Sequence, residues 1–412
     1  MKEPFRFECP VPKRYRAGPL GGYVERFAAW LRERQYARVT ARDKIRVVTD
    51  LSLWLQRRGL SVQCLDERSV ARFLRNRGRR DFVRRGEAAV LTLFLDLLRD
   101  AGAICRPVCS ALAEPSHYIE RDFEQYLTQE RRLSPATQRH RLRFVKRFLE
   151  ERFGTNSVSL QEISASNIHS FVLRHARAHS PGRAKIMVVA LRSFFRFLKM
   201  RGDIASDLAA AVPAVAGWRL SGVPKSIGPT QVRRLLRSCD RNTPTGRRDY
   251  AVLLLLARLG LRGGEVAALS LDDIDWHAGR MTIRGKGARL DQLPLPKDVG
   301  EALVDYLRRG RPRCANRRIF LTAKAPIHDL TRYNPVAGIV RRALDRAGLD
   351  PPTKGAHLLR HSLATNMLRR GASLAEIGEL LRHQRLDTTA IYAKVDLTAL
   401  RALAPRWPGG AA

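Results

Sequence analysis

Residues 357–392 read His357-Leu-Leu-Arg360-His361, then an apolar helix, then Leu380-Leu-Arg382-His383 and, nine residues further on, Tyr392. His357 and Arg360 are three residues apart, so on a helix they share one face. Two imidazoles, a guanidinium and a phenol predict a site that handles a phosphodiester. They supply donors to a charged phosphate, a proton carrier and an oxygen nucleophile. We assign only a structural role to His361, which directly follows Arg360.

Two pieces upstream complete this predicted site. Arg262 lies at the glycine-rich bend Gly260-Leu-Arg-Gly-Gly-Glu265, where Glu265, three residues on, can orient it. Lys286 lies at the tip of a Gly-Lys-Gly turn, which would direct its ammonium outward. The surrounding Arg-Gly-Lys-Gly lacks the spacing of a phosphate-binding P-loop and the hydroxyl residue that follows its lysine, so an ATP site is not supported.

The charge of the chain indicates a polyanionic partner. Lys and Arg number 76 against 39 Asp and Glu, a net charge of +37. Residues 1–110 carry 24 basic and 12 acidic side chains, residues 111–220 carry 18 and 10, and residues 221–412 carry 34 and 17. An arginine-rich coding bias explains part of this excess but not the shortage of acids. Because the excess is present throughout, we expect a body that binds nucleic acid.

Length and hydrophobicity set the class of protein. A chain of 412 residues is too long for one ordinary core, so two or three domains are expected. Its longest apolar runs are too short to span a bilayer, and residues 1–20 have no signal-peptide pattern, which predicts a cytoplasmic protein with no membrane partner. The six cysteines are scattered, so a structural zinc or other metal site is not expected.

The first half of the chain contains an internal repeat. Tyr23-Val-Glu-Arg26 aligns with Tyr118-Ile-Glu-Arg121, and five residues between Leu91 and Ile104 recur at an offset of 100. We interpret this as two related helical domains, residues 21–105 and 113–205, although amphipathic helices can resemble one another by chance. An irregular leader, residues 1–20, precedes them, and a linker, residues 206–224, follows.

Residues 225–412 are predicted to form an α+β domain with a C-terminal tail. Strands are expected at residues 281–284 and 292–295 around the lysine turn, and a third at residues 318–321. A short helix is expected at residues 398–403. The predicted fold class is therefore mainly α with a small β-sheet: two tandem helical domains followed by an α+β domain.

Basic side chains on the helices of both repeats are candidates for contact with DNA phosphates. They are Arg75 and Arg79 in the first repeat, and Arg139, Arg143, Lys146, Arg147, Arg183 and Lys185 in the second. A solvated helix face is the alternative interpretation of each cluster. Recurrence in both repeats favours the phosphate contact.

The order of the site residues resembles that of the tyrosine recombinase family, of the phage integrase and Xer type. The residues that carry this resemblance are Arg262, Lys286, His357-x-x-Arg360, His383 and Tyr392. It covers residues 225–395 strongly; residues 113–205 look like the SAM-like core-binding domain of the family, and residues 21–105 are additional. Arg382 departs from the usual glycine before the histidine, and Gly263-Gly264 replaces bulkier residues.

The resemblance implies a covalent mechanism. Tyr392 would attack the scissile phosphate, giving a 3′-phosphotyrosyl bond and a free 5′-hydroxyl. Arg262 and Arg360 would hold the non-bridging oxygens, because a guanidinium matches phosphate bidentately. Lys286 would protonate the leaving oxygen, and His357 would move protons to and from the tyrosine.

His383 would donate a hydrogen bond to the phosphate, and Glu265 would support Arg262. Because the ester keeps the bond energy, no metal or ATP cofactor is implied. The implied partners are double-stranded DNA and a homotetramer on two duplexes, in some systems with a second recombinase. The predicted function is that of an integrase or transposase of a mobile element. Alternatives are a chromosome-dimer resolvase of the same family, a type IB topoisomerase and a non-catalytic DNA-binding accessory protein.

Overall fold

The computed structural model describes residues 12–78, 86–105, 116–154, 158–215, 222–285, 289–331 and 335–395. By their contacts the residues form two compact bodies, one of Met1–Ile104 with Gly222–Ala412 and the other of Cys105–Ser221. The domain bounds proposed from the sequence remain a prediction. No helix in the described ranges combines the length and apolarity needed to cross a membrane.

Four helices form an N-terminal bundle: α1 (Gly21–Glu33), α2 (Arg38–Arg57), α3 (Glu67–Gly78) and α4 (Glu87–Asp100). Each places apolar residues at helical spacing on one face. These faces enclose a single core that runs from Leu20 to Ile104 along the chain. Within the same compact body, Gln35 Nε2 donates to the Arg313 carbonyl at 2.6 Å.

Four further helices form a central bundle: α5 (Ser116–Gln129), α6 (Pro135–Phe153), α7 (Ala165–Ala178) and α8 (Pro181–Arg201). The start of α6 is set by the hydroxyl of Ser134, which accepts from the Thr137 amide, and by Pro135 in the first turn. A capping box of Ser164 and Asn167 opens α7. The core of this bundle is separate from that of the N-terminal bundle.

The two bundles repeat the same internal contact. Phe27 of α1 meets Phe94 of α4 edge to face, with ring centroids 5.2 Å apart and planes at 74°. Phe123 of α5 meets Phe194 of α8 at 5.2 Å and 75°. The last helix of each bundle also ends at a glycine of positive φ, Gly102 and Gly202. This agreement supports the internal repeat predicted from the sequence.

The C-terminal segment is built around one buried helix. Its helices are α9 (Pro229–Arg237), α10 (Pro244–Leu259), α11 (Gly263–Ala268), α12 (Lys297–Arg309), α13 (Pro335–Arg346), α14 (Ala356–Arg369), α15 (Leu374–Leu380) and α16 (Leu386–Thr389), followed by a 3₁₀ helix at Ala390–Val395. Helix α10 is almost wholly buried and packs against α9, α11, α12, α13 and α14. It therefore organises the elements that carry the site.

A small antiparallel sheet lies beside these helices, with the order β1 (Ile274–Asp275), β2 (Arg280–Arg284) and β3 (Leu290–Pro294). Thr282 of β2 lies opposite Gln292 of β3. The Gly285 amide donates to the Arg289 carbonyl at 2.7 Å and so links the ends of β2 and β3. The two strands predicted around the lysine turn are thus confirmed, and the chain is mainly helical with a small sheet, as predicted.

The strand predicted at residues 318–321 is wrong. Arg318 and Leu321 make only isolated bridges, to Ser270 and Asp329 respectively. Ile319 and Phe320 between them are fully buried. Their burial produces the apolar run that resembled a strand, but no neighbouring segment among the described residues extends the pairing into a ladder. The helix predicted at residues 398–403 lies outside the described residues.

Candidate active site

Tyr392 is buried and bonded to a histidine. It lies in the 3₁₀ helix Ala390–Val395 and is 1% exposed. His361 Nδ1 is 2.9 Å from its hydroxyl. Burial raises the pKa of Tyr392 to about 12. Burial, followed by the charges of His357 and Arg360, lowers the pKa of His361, so the ring is neutral near pH 7 and can accept the phenol proton.

His361 is a functional candidate that sequence reasoning missed. It follows Arg360 and lies one helical turn after His357 on α14, so the i, i+4 spacing was the available signal. The rings of His357 and His361 are 6.2 Å apart between centroids. His357 itself is exposed, and partial desolvation and then the charges of Arg360 and Arg262 lower its pKa. Proton transfer by His357 remains a prediction.

Arg360 is held by backbone carbonyls. It is 3% exposed, and its two terminal nitrogens donate to the carbonyls of Gly260 and Leu381. Burial, then the charges of Arg262 and Arg382, lowers the pKa of Arg360 to about 10. The guanidinium therefore stays charged at neutral pH in a pocket already rich in positive charge. Such a pocket favours an anion.

Glycine is needed where α10 approaches this arginine. Gly260 has a φ of 58°, and a Cβ there would lie 2.6 Å from Leu381 Cδ2. The absence of a side chain lets the Gly260 carbonyl approach Arg360. At Gly263, a Cβ would lie 3.2 Å from that of Ala356, the residue before His357. The close approach of Ala356 to Gly263 explains why a small residue fits at Gly263, one of the two glycines that depart from the family pattern.

Arg262 is oriented by Glu265, as the sequence spacing suggested. The backbone amide of Arg262 donates to Glu265 Oε2 at 2.8 Å, and its Nη1 donates to Oε1 at 2.6 Å. The Arg262 side chain is 38% exposed, whereas that of Glu265 is 5% exposed. Burial opposes ionisation of Glu265, but hydrogen bonds from Arg262 and the charge of Arg382 hold its pKa below the usual range.

His383 follows the end of α15 in a Schellman turn. The His383 amide donates to the Gly378 carbonyl and the Arg382 amide to the Glu379 carbonyl, both at 2.9 Å. His383 Nδ1 lies 2.7 Å from Thr389 Oγ1. Burial, then nearby arginine charges, lowers the pKa of His383 to about 4, so the ring is neutral. When the Thr389 hydroxyl donates to Nδ1, Nε2 carries the hydrogen and is a donor to a ligand.

The structure therefore brings five of the six predicted positions into one electrostatic cluster. The charges that act on His383, largest first after burial, are those of Arg360 and Arg262, followed by His361 and Arg382. Lys286 lies outside the described residues. Gly285 and Arg289, on either side of the undescribed turn, are joined by the hydrogen bond that closes the hairpin.

The predicted phosphate-binding side chains of the central bundle lie largely on α6. Arg139, Arg143 and Lys146 line a groove between α5 and α6. Arg147 pairs with Glu151 at 3.0 Å. The other candidates, Arg75 on α3 and Arg183 and Lys185 at the start of α8, are exposed, and Arg79 lies outside the described residues.

An equivalent arginine pair on α2 was missed from the sequence. When α2 is aligned with α6 at an offset of 97 residues, four buried positions coincide. They are Val47, Val48, Leu51 and Ser52 in α2 and Phe144, Val145, Phe148 and Leu149 in α6. The same offset places Arg42 and Arg46 on Arg139 and Arg143. All four are exposed, and none forms an ion pair with another described residue.

Comparison with known proteins shows the family to which the chain belongs. Residues 225–398 match the model of the phage integrase family, and residues 121–202 match that of the phage integrase N-terminal SAM-like domain. A putative integrase/recombinase of Sinorhizobium fredii, y4rA, is 47% identical over 396 residues, which is 96% of each chain. The tyrosine recombinase XerD of Mycobacterium tuberculosis is 34% identical over 309 residues, covering 70% of this chain and 95% of XerD.

Solved structures show the same fold. The XerH site-specific recombinase, bound to a palindromic difH substrate, has a TM-score of 0.53 at 19% identity and covers 82% of this chain and 94% of its own. The Tn1549 transposon integrase, in complex with transposon right end DNA, has a TM-score of 0.51 at 15% identity, covering 70% and 99%.

The chain has helical bundles followed by a helical domain with a small sheet. Its C-terminal segment places a buried tyrosine among arginines and histidines. These features are expected of a phosphoryl-transfer enzyme with a tyrosine nucleophile. The long match to y4rA and the match to XerD make the assignment more specific. The chain belongs to the phage integrase family of tyrosine recombinases, and the resemblance seen in its sequence is confirmed.

Proposed function

We propose that the protein is a site-specific DNA recombinase that cuts and rejoins strands through a 3′-phosphotyrosyl intermediate, with Tyr392 as the nucleophile. One observation carries this proposal: the Tyr392 hydroxyl lies 2.9 Å from a neutral imidazole, in a pocket that contains several guanidiniums. A phenol in a plain helical core would need neither the base nor the positive charge.

The first step needs a base, because burial raises the pKa of Tyr392 to about 12 and almost none of it is ionised near pH 7. His361 Nδ1 is placed to accept the proton as the phenol oxygen attacks phosphorus. We therefore assign to His361 the proton transfer that the sequence had suggested for His357. His357, exposed and close by, is available to the phosphate or to the other strand end.

The charge that develops on the phosphate is met by Arg262, Arg360 and the Nε2–H of His383. Donors fixed before the reaction stabilise such charge without reorganisation. Glu265 and the two carbonyls provide this preorganisation for Arg262 and Arg360. Lys286 would protonate the leaving 5′-oxygen from the hairpin. The ester conserves the bond energy, so the proposed reaction uses neither metal nor ATP.

Attack also requires that Tyr392 be uncovered. At 1% exposure its hydroxyl cannot reach a phosphodiester from outside the protein. The 3₁₀ helix Ala390–Val395 is the short element that carries it, and its displacement separates Tyr392 from Ala364, Ile377 and Leu381. For proton transfer the hydroxyl has to stay within reach of His361 during this movement. We propose that DNA binding drives this displacement, because the positive charges of Arg262 and Arg360 attract a phosphate of the duplex to the pocket.

The DNA partner is proposed to contact both bundles. The groove between α5 and α6 presents Arg139 and Arg143, and α2 presents Arg42 and Arg46 on the corresponding face. Exposed guanidiniums at helical spacing can neutralise phosphates without reading sequence. The net charge of +37 supports a partner that covers much of the surface.

Exchange between two duplexes needs four active protomers, so we propose a DNA-bound homotetramer, with or without a second recombinase. We also propose that the protein serves a mobile element as its integrase or transposase. The 47% identity to a putative integrase/recombinase over nearly the whole chain supports this role. A chromosome-dimer resolvase remains the alternative within the family.

A nicked suicide substrate made from the ends of the element that carries the gene would test the chemistry. The native protein should give a covalent protein–DNA adduct on a denaturing gel, and Tyr392→Phe should give none. His361→Ala should reduce adduct formation more than His357→Ala does. Mapping the junction gives the cleavage site. DNA bound tightly by the native protein with no adduct would favour the non-catalytic accessory protein instead.

A further inference from the structure

Arg382 occupies a backbone position that suits glycine. It is the residue after the C-cap of α15, and its φ is 56°, in the left-handed region. The Schellman turn that ends α15 places it there and places His383 next. A side chain with a Cβ strains this conformation. An arginine at this position bears a backbone strain that glycine would avoid, and contacts of its side chain can offset that strain.

The Arg382 side chain is buried and joins two carboxylates. Its Nη2 lies 2.8 Å from Glu265 Oε2, and its Nε lies 3.8 Å from Asp291 Oδ2. The exposed fractions of the three side chains are 7% for Arg382, 5% for Glu265 and 16% for Asp291. Arg382 therefore neither crowds the pocket nor extends to solvent; it faces the support of the pocket.

Each carboxylate belongs to a different part of the site. Glu265 Oε1 accepts from Arg262 Nη1, and its Oε2 accepts from both the Arg262 amide and Arg382 Nη2. Asp291 lies in β3, the strand that follows Lys286 in the chain, and also pairs with Arg289 at 2.9 Å.

We propose that Arg382 is a positioning residue that ties three segments together: the turn bearing His383, the helix start bearing Arg262, and the strand that follows Lys286. It fixes the rotamer of Glu265, which in turn fixes Arg262. Its weaker contact with Asp291 keeps β3 against this assembly. The proposal rests on the proposed function of the site and adds a residue to it that the family pattern, with glycine here, does not supply.

The effect of Arg382 passes through Glu265, because the Glu265 carboxylate accepts hydrogen bonds from the guanidiniums of both Arg262 and Arg382. Removing the Arg382 side chain leaves Glu265 freer to rotate about its own side-chain bonds. It also removes the contact that links β3 to the turn after α15, so that β3 depends more on its ladder with β2. Residues that orient the ligands of a metal ion change affinity or activity by about 10–100-fold when they are removed, and by analogy we expect a loss of that size here.

The test compares Arg382→Gly and Arg382→Lys with an exposed control, Arg385→Ala. Glycine suits the left-handed backbone, so the first variant removes the side chain without harming the turn. In single-turnover cleavage of the nicked substrate, Arg382→Gly should lower the rate constant about 10–100-fold while DNA affinity changes less than about threefold. Arg382→Lys keeps the charge but not the forked geometry and should recover part of the rate. Arg385→Ala should match the native protein.

A double variant identifies the route of the effect. If Arg382 acts through Arg262, then Arg262→Ala/Arg382→Gly should be no slower than Arg262→Ala alone. Equal rates for Arg382→Gly and the native protein would overturn the proposal, and losses that add fully in the double variant would overturn the route through Arg262. A fall in DNA affinity that matches the fall in rate would assign Arg382 to DNA binding instead.

Hydrogen exchange of β3 amides gives a readout that does not need catalysis. Exchange at residues 290–293 should be faster in Arg382→Gly than in the native protein or in Arg385→Ala. Unchanged exchange rejects the part of the proposal in which Arg382 holds β3. A native protein that forms no adduct on any substrate would count against the proposed function, whereas the exchange result still decides whether Arg382 holds β3.

Discussion

The N-terminal and central bundles have similar but separate interiors and differ in how their charges are paired. The pairs Phe27–Phe94 and Phe123–Phe194 have the same centroid distance, 5.2 Å, and almost the same tilt. Between α2 and α3, however, the N-terminal bundle uses an arginine, Arg77, bonded to Asp50 at 2.7 Å. The central bundle has His175 at the position equivalent to Arg77.

His175 lies 2.9 Å from Glu151 on α6. The core thus follows the repeat closely, while the polar contacts have diverged within it. This difference suggests that packing of the aromatic pair defines the bundle and that surface and boundary charges were free to change. Four experiments separate these two layers.

The largest effect is expected from the shared aromatic pair. Phe94→Ala and Phe194→Ala each remove a fully buried ring and should each lower the free energy of unfolding of the bundle by about 3–5 kcal/mol. Hydrogen exchange followed by mass spectrometry should show faster exchange confined to the bundle that carries the change. Comparable losses in both variants would support a common core.

A milder substitution at each site, Phe94→Leu and Phe194→Leu, is the matched control and should retain most of the protection. The idea of a repeated core fails if one alanine variant exchanges like the native protein while the other unfolds its bundle.

The next effect concerns DNA. Replacing Arg139 and Arg143 together, or Arg42 and Arg46 together, should reduce the slope of log affinity against log salt by about 2 in magnitude, if each guanidinium neutralises one phosphate. Near 0.1 M salt this corresponds to about a hundredfold loss of affinity for a long duplex. Fluorescence anisotropy over a range of salt concentrations measures both quantities.

An equally exposed pair on another helix, Arg68→Ala with Arg72→Ala, serves as the control and should leave the slope within about 1 of the native value. A change only for the α6 pair would show that the N-terminal bundle kept the fold of the repeat but not its DNA contact.

Most of the fold could be predicted from the sequence because helices leave a short-range periodic pattern of apolar residues. Helices such as α10 and α14 show apolar residues at helical spacing, and turn residues mark their ends. The apolar run at residues 318–321 was misassigned because an extended buried segment and a strand have the same local pattern. Only pairing partners elsewhere in the chain distinguish the two.

The site was predictable in its order but not in its contacts. Arg262 and Glu265 are three residues apart, so their bond could be anticipated from a helix start. The bond of His361 to Tyr392 spans 31 residues, and that of Arg382 to Glu265 spans 117. Contacts over such separations depend on how α11, α14 and α15 pack together, which no local pattern encodes.

A smaller effect is expected at the glycines that end α4 and α8. Gly102 and Gly202 have φ values of 70° and 81°, and a Cβ at either would meet nothing within 4 Å. Alanine should therefore cost only the backbone strain, about 1–2 kcal/mol, and to the same extent in both bundles. Local hydrogen exchange compares the two. Gly182→Ala, at the start of α8 with equally open space and no positive φ, should cause no loss; unequal costs at the two helix ends would indicate that the turns have diverged along with the charges.

The smallest effect is expected for the Glu151–His175 pair of the central bundle, whose contribution to stability should depend on pH. Burial opposes ionisation of Glu151, but hydrogen bonds from His175 and Arg147 hold its pKa below the ordinary value of 4.5. A carboxyl with a lowered folded pKa contributes stability above its unfolded pKa, and that contribution is lost as the pH falls through the folded value. Glu151→Gln should thus lower the stability near pH 6 by less than about 1 kcal/mol, seen as a lower melting temperature, and this loss should shrink as the pH falls below 4.5. Glu124→Gln, an exposed carboxyl on α5, should be neutral at both pH values. If Glu151→Gln is equally costly at both, the side chain acts through packing, and the divergence between the bundles is one of shape and not of charge.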